Sequence, residues 1–399
     1  MTGDELPGVE LPGTGELIGP VEIGPVAHGG HFVARHGGRV IFVRHTLPGE
    51  LVTVRLTDVS HARFWRGDAV EVLRASPDRV PAPCPVALRC GGCDFQHVRL
   101  AAQRRLKADV VAEQLARLAG LHPEVLVEEV PGAPATGLGW RTRMRYLVDR
   151  GHAGLRAHRS NDFVELPPQG CPIADPRGPR GAELDDFAAR ADDELLVTTA
   201  GSGVSVMSGG QLLSGSQIVR ESVSARAFRV RADGFWQVHP GAATTLGAAV
   251  MEALQPRPGE TALDLYCGVG VFAASLCDAG CRVTGVEVDG PALRLARTNV
   301  PEARFVAGKV ERSFRALPRH SELVVLDPPR TGAGRQVVAG IVALSPRRIS
   351  YVACDPAALA RDLASFGARG YRLTALRAFD LFPMTHHVEC LAVLEPSGA

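Results

Sequence analysis

Lysine is almost absent from this sequence of 399 residues: only Lys107 and Lys309 occur, so nearly all of the positive charge is arginine. Arginine's planar fork suits phosphate and carboxylate groups better than an ammonium point charge does. Net charge is missing too. At +1, with 44 basic and 43 acidic residues, the chain has no global basic field, so a polyanionic partner would have to be held by local patches. No apolar run approaches the roughly 18 residues that a membrane span needs. The start, MTGDELPGVELPGTGE, has neither a basic n-region nor an apolar h-region, which excludes a signal peptide. It reads as a disordered leader over 1–14, with a cytoplasmic location as the default expectation. What is present is the composition of a globular protein, 45% hydrophobic and 22% charged, at a length for two or three domains. The nine cysteines are expected to bind metal, react or fill core rather than to form disulfides.

From about Gly15 to Arg74, short apolar stretches alternate with the turn marks Gly29-Gly30, Gly37-Gly38 and Pro48-Gly49. Five short strands in this space predict a small barrel of the OB type. Val98 to Leu118 has helical periodicity, with Gly120 as its stop. The stretch from about Val125 to Ala232 reads as mixed β with loops. In it Arg141, Arg143 and Arg145 recur at period two beside Trp140 and Tyr146. On a strand they would share one face, which fits a phosphate-and-base surface or a merely solvated strand face. From about Gly259, strands and helices alternate, as in a parallel, doubly wound α/β sheet. YRLTALRAFDLFP and HVECLAVLE close it as an antiparallel β pair.

Three motifs sit in that last region. In DLYCGVGVFA, Gly268 and Gly270 permit a tight turn and a close approach to a helix N-terminus. The spacing Gly268-x-Gly270-x-x-Ala273 also satisfies the loose dinucleotide fingerprint. Asp264 just before the turn would repel a pyrophosphate but not a cation, and Glu287 at the next strand end suits a ribose diol. An acid beside a glycine loop therefore fits S-adenosylmethionine, a sulfonium without phosphates, better than NAD. In LVVLDPPR, Asp327 ends a strand and two prolines stiffen the exit. Arg330 stands where amine-methylating enzymes tend to have a stacking aromatic, which points to a different acceptor. In YVACDPAALARD, Cys354 ends a strand before Pro356. The local sequence leaves it open whether this thiol packs or reacts.

Read in order, FWQVHP, DLYCGVG, DPPR, YVACDP and HHVE resemble the RNA uracil-5-methyltransferase family over nearly the whole chain. The resemblance implies a Rossmann-like methyltransferase domain (97–127 and 235–397), an N-terminal OB-like TRAM barrel (15–75) and a small central mixed-β domain with an iron–sulfur site (76–96 and 128–234). It implies S-adenosylmethionine-dependent formation of 5-methyluridine, with Cys354 as nucleophile and Glu389 as general base. Gln237, Tyr266, Glu287 and Asp327 match cofactor-contacting positions. Cys84, Cys90, Cys93 and Cys171 resemble the [4Fe–4S] ligands of the ribosomal-RNA members, although spacing alone does not separate that cluster from zinc. The implied role of the site is structural or RNA-orienting, so its loss should weaken folding or RNA binding more than the chemistry. The implied partner is RNA, most of all 23S ribosomal RNA, with no membrane and no protein partner. Two alternatives stay open: the same chemistry on transfer RNA, and an inactive RNA-binding iron–sulfur module.

Some positions depart from the family pattern. His239 stands where asparagine is common, Asp355 where asparagine is frequent, and Lys309 where an acid near the adenine is frequent. His386 and His387 either position the substrate or pack. Cys267, Cys277, Cys281 and Cys390 read as core thiols. Finally, a helix beginning at Pro356 is expected to lower the Cys354 thiol pKa.

Overall fold

The computed structural model describes residues 13–398, so the leader expected over 1–14 lies outside the described residues except for its last two positions. Five strands form a closed barrel in the order β1-β2-β3-β5-β4: β1 Leu17–Ala27, β2 His31–His36, β3 Arg39–Arg44, β4 Leu51–Asp58 and β5 Phe64–Arg74. Period-two apolar residues fill it, among them Phe32 and Ala34, Ile41 and Val43, and Val52, Val54 and Leu56. Glycine is required at Gly67, where a Cβ would come within 2.4 Å of a Val54 methyl on the facing strand. The barrel core runs on through Phe95 and Val98 into Ala102 and Leu106 of α1 (Leu100–Ala119). Gly120, in the left-handed conformation, ends that helix.

The central unit is a six-stranded sheet in the order β12-β11-β10-β7-β8-β9. Its strands are β7 Arg143–Asp149, β8 His152–Arg156, β9 Phe163–Glu165, β10 Glu194–Ala200, β11 Gly203–Ser208 and β12 Gln211–Ser214. Every pairing in it is antiparallel rather than mixed. A short helix, α2 (Gly181–Ala188), covers one face through Leu184 and Ala188. The arginine row is not one exposed face. Arg141 precedes the strand and is half-buried, Arg143 is 7% exposed and 3.5 Å from Glu221, and only Arg145 is solvated, 2.7 Å from Glu194. Trp140 and Tyr146 are core residues. Carboxylates from distant strands neutralise the two strand arginines, which period-two spacing cannot show.

The third unit is an eight-stranded sheet in the order β17-β16-β15-β18-β19-β21-β20-β6. Its five parallel strands are β15 Thr261–Leu265, β16 Arg282–Glu287, β17 Arg304–Ala307, β18 Leu323–Leu326 and β19 Arg348–Ala353. β20 (Tyr371–Asp380) and β21 (Glu389–Pro396) form the closing pair, with β21 antiparallel to β19, and β6 (Val127–Glu129) is the edge. Helices α3 (Ala242–Leu254), α4 (Val271–Asp278) and α5 (Gly290–Asn299) cover one face. Helices α1, α7 (Gly334–Ala343) and α8 (Pro356–Gly367) cover the other, and α6 (Val310–Ser313) is a single turn. Strand β19 serves both layers, with Val352 on one side and Ile349, Tyr351 and Ala353 on the other. The hairpin β13 (Ile218–Val223) and β14 (Arg226–Arg231) contributes Val219, Phe228 and Val230 to the first layer, so it packs with this unit. Lys107 pins α1 to the sheet. Its ammonium is fully buried and donates to Asp380 Oδ1 at 2.5 Å and to the Phe382 carbonyl at 3.0 Å. Among the described residues no helix is long and apolar enough to cross a membrane.

Candidate active site

In an open α/β sheet, ligands meet the carboxyl ends of the strands where the strand order reverses. Here β16 and β18 leave β15 in opposite directions, and the side chains just past these strand ends converge. Tyr266 follows β15, Glu287 ends β16, Asp327 follows β18 and Cys354 follows β19. β21 runs the other way, so its first residue, Glu389, comes to the same edge. Ala353 is the register partner of Cys390, and the next residues outward on the two strands are Cys354 and Glu389. These five, with Gln237 from the segment before α3, line one cavity of about 1050 Å³.

The glycine-loop end of this cavity is shaped by backbone strain and by capping. Tyr266 has φ +64, a left-handed value that a bulky residue rarely takes, and Gly268 and Gly270 follow at +54 and +93. The turn lifts the chain so that α4 starts beneath the cavity. Glu287 braces it: one carboxylate oxygen accepts from Gly268 N–H at 2.9 Å, the other from Val288 and Asp289 N–H at 2.8 and 2.7 Å. Asp264 behaves differently from expectation. It is 1% exposed and lies behind the loop, where it accepts from Ala273 N–H at 2.8 Å and steadies the first turn of α4. It does not line the cavity. Burial holds its carboxyl up at about 7.

The Cys354 end of the cavity is acidic. Glu389 is 2% exposed, and its Oε1 has no hydrogen-bond partner among the described residues. Burial first and the nearby Asp327 second push its carboxyl well above the carboxylate range, while Arg330 opposes them. Burial likewise raises Asp327. The Cys354 thiol is pushed up to about 11, by burial and then by Glu389 and Asp327, against Arg330. This reverses the expected lowering. Asp355 caps α8, accepting from Ala358 N–H at 2.7 Å, and Pro356 opens that helix, but burial first and the two carboxyl groups next outweigh the helix N-terminus. An acidic cavity of this kind is suited to a cation. A sulfonium placed there would stabilise the ionised carboxylates.

Two residues absent from the predicted site also belong to this geometry. Phe235 is 75% exposed at the cavity wall, an unusual place for a large apolar ring, and only its position in FWQVHP could have marked it. Arg330, from DPPR, lines the cavity and is the cation beside both Cys354 and Glu389. Lys309 lines the glycine-loop end, beside Glu311. His239 is buried away from the cavity, its Nδ1 accepting from Gly241 N–H at 3.1 Å.

A second, smaller chamber of about 130 Å³ adjoins Cys354, and Arg330, Cys354 and His387 line both. Its roof is the barrel turn His28-Gly29-Gly30, and His28 Nε2 lies 3.1 Å from Asp355 Oδ2. A third cavity, about 140 Å³, is lined by the four thiols of Cys84, Cys90, Cys93 and Cys171, all buried and none in a disulfide. Among the described residues no group of three or more His, Cys, Asp or Glu side chains forms a metal-ion site. Arg141 lines this thiol cavity and also the 1050 Å³ cavity. Of the cysteines read as core thiols, Cys267, Cys281 and Cys390 are buried and Cys277 is half-buried.

Comparison with known proteins agrees with this architecture. Family models match as a TRAM domain over residues 18–70, a methyltransferase small domain over 242–350 and a tRNA (uracil-5-)-methyltransferase over 316–397. An uncharacterized RNA methyltransferase of Streptomyces avermitilis is 50% identical, covering 95% of this chain and 98% of its own length. One from Streptomyces coelicolor is 48% identical, covering 95% of this chain and 93% of its own. The crystal structure of Pyrococcus abyssi tRNA (uracil-54, C5)-methyltransferase with S-adenosyl-L-homocysteine shares the fold, with a TM-score of 0.71 at 23% identity over 94% of this chain and 99% of that one. The fold is that of an S-adenosylmethionine-dependent methyltransferase with an N-terminal TRAM barrel, and the chain is an enzyme belonging to the RNA uracil-5-methyltransferase family.

Proposed function

We propose that this enzyme methylates carbon 5 of a uridine in 23S ribosomal RNA through a covalent adduct on Cys354. The observation that carries the reading is the convergence of one thiol and one buried carboxyl, Cys354 and Glu389, on a single cavity with Gln237, Tyr266, Glu287 and Asp327. Carbon 5 of uracil is a poor nucleophile. Addition of the Cys354 thiolate to carbon 6 creates an enolate and makes carbon 5 reactive. Carbon 5 then takes the methyl group from the sulfonium. Glu389 removes the proton from carbon 5, the double bond re-forms and the thiolate leaves. The charges at the site serve each role: Asp327 and Glu389 attract the sulfonium, and Arg330 offsets their effect on the thiol. Phe235 offers its exposed face to an unstacked base. Gln237, Tyr266, Glu287 and Asp327 hold the cofactor. Both oxygens of Glu287 already accept backbone N–H groups, so a ribose diol would share them.

We read the four thiols as ligands of an iron–sulfur cluster, as the resemblance to the ribosomal-RNA members implies. What supports the reading is that all four line one cavity, together with Arg141 and the apolar side chains Met144, Leu155 and Leu166. Cys84, Cys90, Cys93 and Cys171 would hold the cluster, with Arg141 beside it. Bound there, it would supply cross-links that fix the segment before α1. Transfer RNA is the second reading, favoured by the fold shared with the Pyrococcus abyssi enzyme. The test is to incubate the protein with methyl-labelled S-adenosylmethionine and separate unmodified ribosomal and transfer RNA pools, then to identify the labelled nucleoside. Label in 5-methyluridine from 23S RNA is the expected result. The same label from transfer RNA keeps the chemistry and replaces the target, and label in neither pool overturns the reading.

A further inference from the structure

The loop from Leu381 to Val388 delivers Glu389 to the site, yet the contacts that hold it come from the cysteine-rich segment. Asp94 and Phe95, directly after Cys93, both donate their N–H groups to the Met384 carbonyl, at 3.0 and 2.9 Å. Met384 N–H donates to Gln103 Oε1 at 2.8 Å, and the Gln103 amide in turn donates to the carbonyls of Phe95 and Val98, at 3.0 and 2.8 Å. Asp94 Oδ2 accepts from the His386 N–H at 3.1 Å and lies 2.6 Å from His386 Nδ1. The His386 ring packs against His387, with centroids 4.1 Å apart, and His387 Nε2 lies 3.4 Å from the Arg330 guanidinium. The barrel presses on the same pair. Gly30 has φ +76, and a Cβ there would come within 2.9 Å of His386 Cβ and 3.0 Å of Asp94 Cβ. The barrel, the cysteine-rich segment and the third unit therefore meet on one carboxylate–imidazole pair, whose imidazole lies three residues before Glu389.

Resting on the methyl-transfer reading above, we propose that Asp94 is a positioning residue for the reaction: through His386 it sets the loop that presents Glu389 to carbon 5. Asp94 touches neither large-cavity wall nor reacting atoms, so its effect passes entirely through the loop. The step it governs is removal of the carbon 5 proton, after methyl transfer and before release of Cys354. Misplacing the base by an ångström slows that step and leaves the RNA attached to the enzyme. A residue that only stabilised the fold, or only docked RNA, would lower the adduct together with the turnover. The site at Cys93 then reaches the chemistry by way of the next residue along the chain.

The test compares wild type, Asp94→Ala and Asp94→Asn at equal metal content. It measures kcat and KM for RNA, S-adenosylmethionine binding, and the fraction of RNA held covalently in denaturant during turnover. For Asp94→Ala we expect kcat to fall by about 10²-fold, with KM and cofactor affinity little changed and the covalent fraction above that of wild type. Asp94→Asn keeps an acceptor oxygen for the His386 N–H and should recover much of the loss. If the alanine variant does not bind cofactor, His386→Ala, which removes the side-chain contact from the loop side, carries the test by the same raised-adduct readout. A raised KM at unchanged kcat, or an adduct that falls in step with kcat, would overturn the proposal. A wild-type enzyme that makes no 5-methyluridine would overturn the reading beneath it instead.

Discussion

Two regions of this molecule are built around cysteine, half-buried in one and fully buried in the other, and they differ in what surrounds the sulfur. At the sheet edge a single thiol, Cys354, faces two carboxyl groups and one arginine. Beside the central unit four thiols line one smaller cavity, with Arg141 in its wall. Burial raises the thiol pKa in both places, so burial alone does not distinguish a reactive cysteine from a ligand. The neighbours do. Cys354 opens onto a cavity that it shares with Asp327 and Glu389, which is the setting the proposed attack on a substrate carbon requires. Where thiols adjoin one another, as Cys90, Cys93 and Cys171 do, each disfavours the others' ionisation and keeps them neutral.

The largest expected effect comes from removing the lone thiol. Cys354→Ala should lower methyl transfer by more than about 10³-fold and leave S-adenosylmethionine binding intact, as measured by calorimetry and single-turnover label transfer. Activity near wild type would erase the distinction between the two regions. Next comes pH. With the thiol held at about 11, the thiolate is the minor form at neutrality, and its share grows tenfold per pH unit below that value. The rise of kcat/KM should therefore continue from about pH 6.5 to about pH 9. Arg330→Gln, which removes the cation that lowers both Cys354 and Glu389, should move the whole limb to higher pH. A profile already flat above neutrality would contradict the acidic surroundings assigned to Cys354. The smallest effect on chemistry is expected at the other thiol site. Cys171→Ser should lower bound iron, measured by absorbance and metal analysis, and should lower Tm by roughly 5 °C. An unchanged iron content would remove Cys171 from the ligand set.

The strand ends were legible because the signals are local. A short apolar strand followed by Gly268-x-Gly270, by Asp327-Pro328-Pro329 or by Cys354-Asp355-Pro356 marks where the chain leaves the sheet, and in a parallel sheet these exits share one edge. What was not legible depends on partners far away in sequence. The arginines of β7 read as a surface row until Glu221 and Glu194 arrive from other strands. Cys354 read as activated by the α8 N-terminus because Glu389 and Asp327 reach it only through the sheet register. Asp264 read as ligand-facing because a cap on its own following helix leaves the same sequence trace. Asp94 and His386, 292 positions apart, carry no mutual signal at all. The two lysines show the same limit. One is a buried pin for α1 and the other lines the glycine-loop end of the cavity, and rarity in the composition says nothing of either place.

The most direct test of the central claim, that Cys354 forms the bond to the substrate and Glu389 permits its release, is a Glu389→Gln variant given S-adenosylmethionine and unmodified RNA. The account predicts a protein–RNA species that survives denaturant, already methylated at carbon 5 and attached at Cys354 by peptide mass analysis. Free 5-methyluridine product at the wild-type rate, or a denaturant-stable adduct on any other residue, would contradict it.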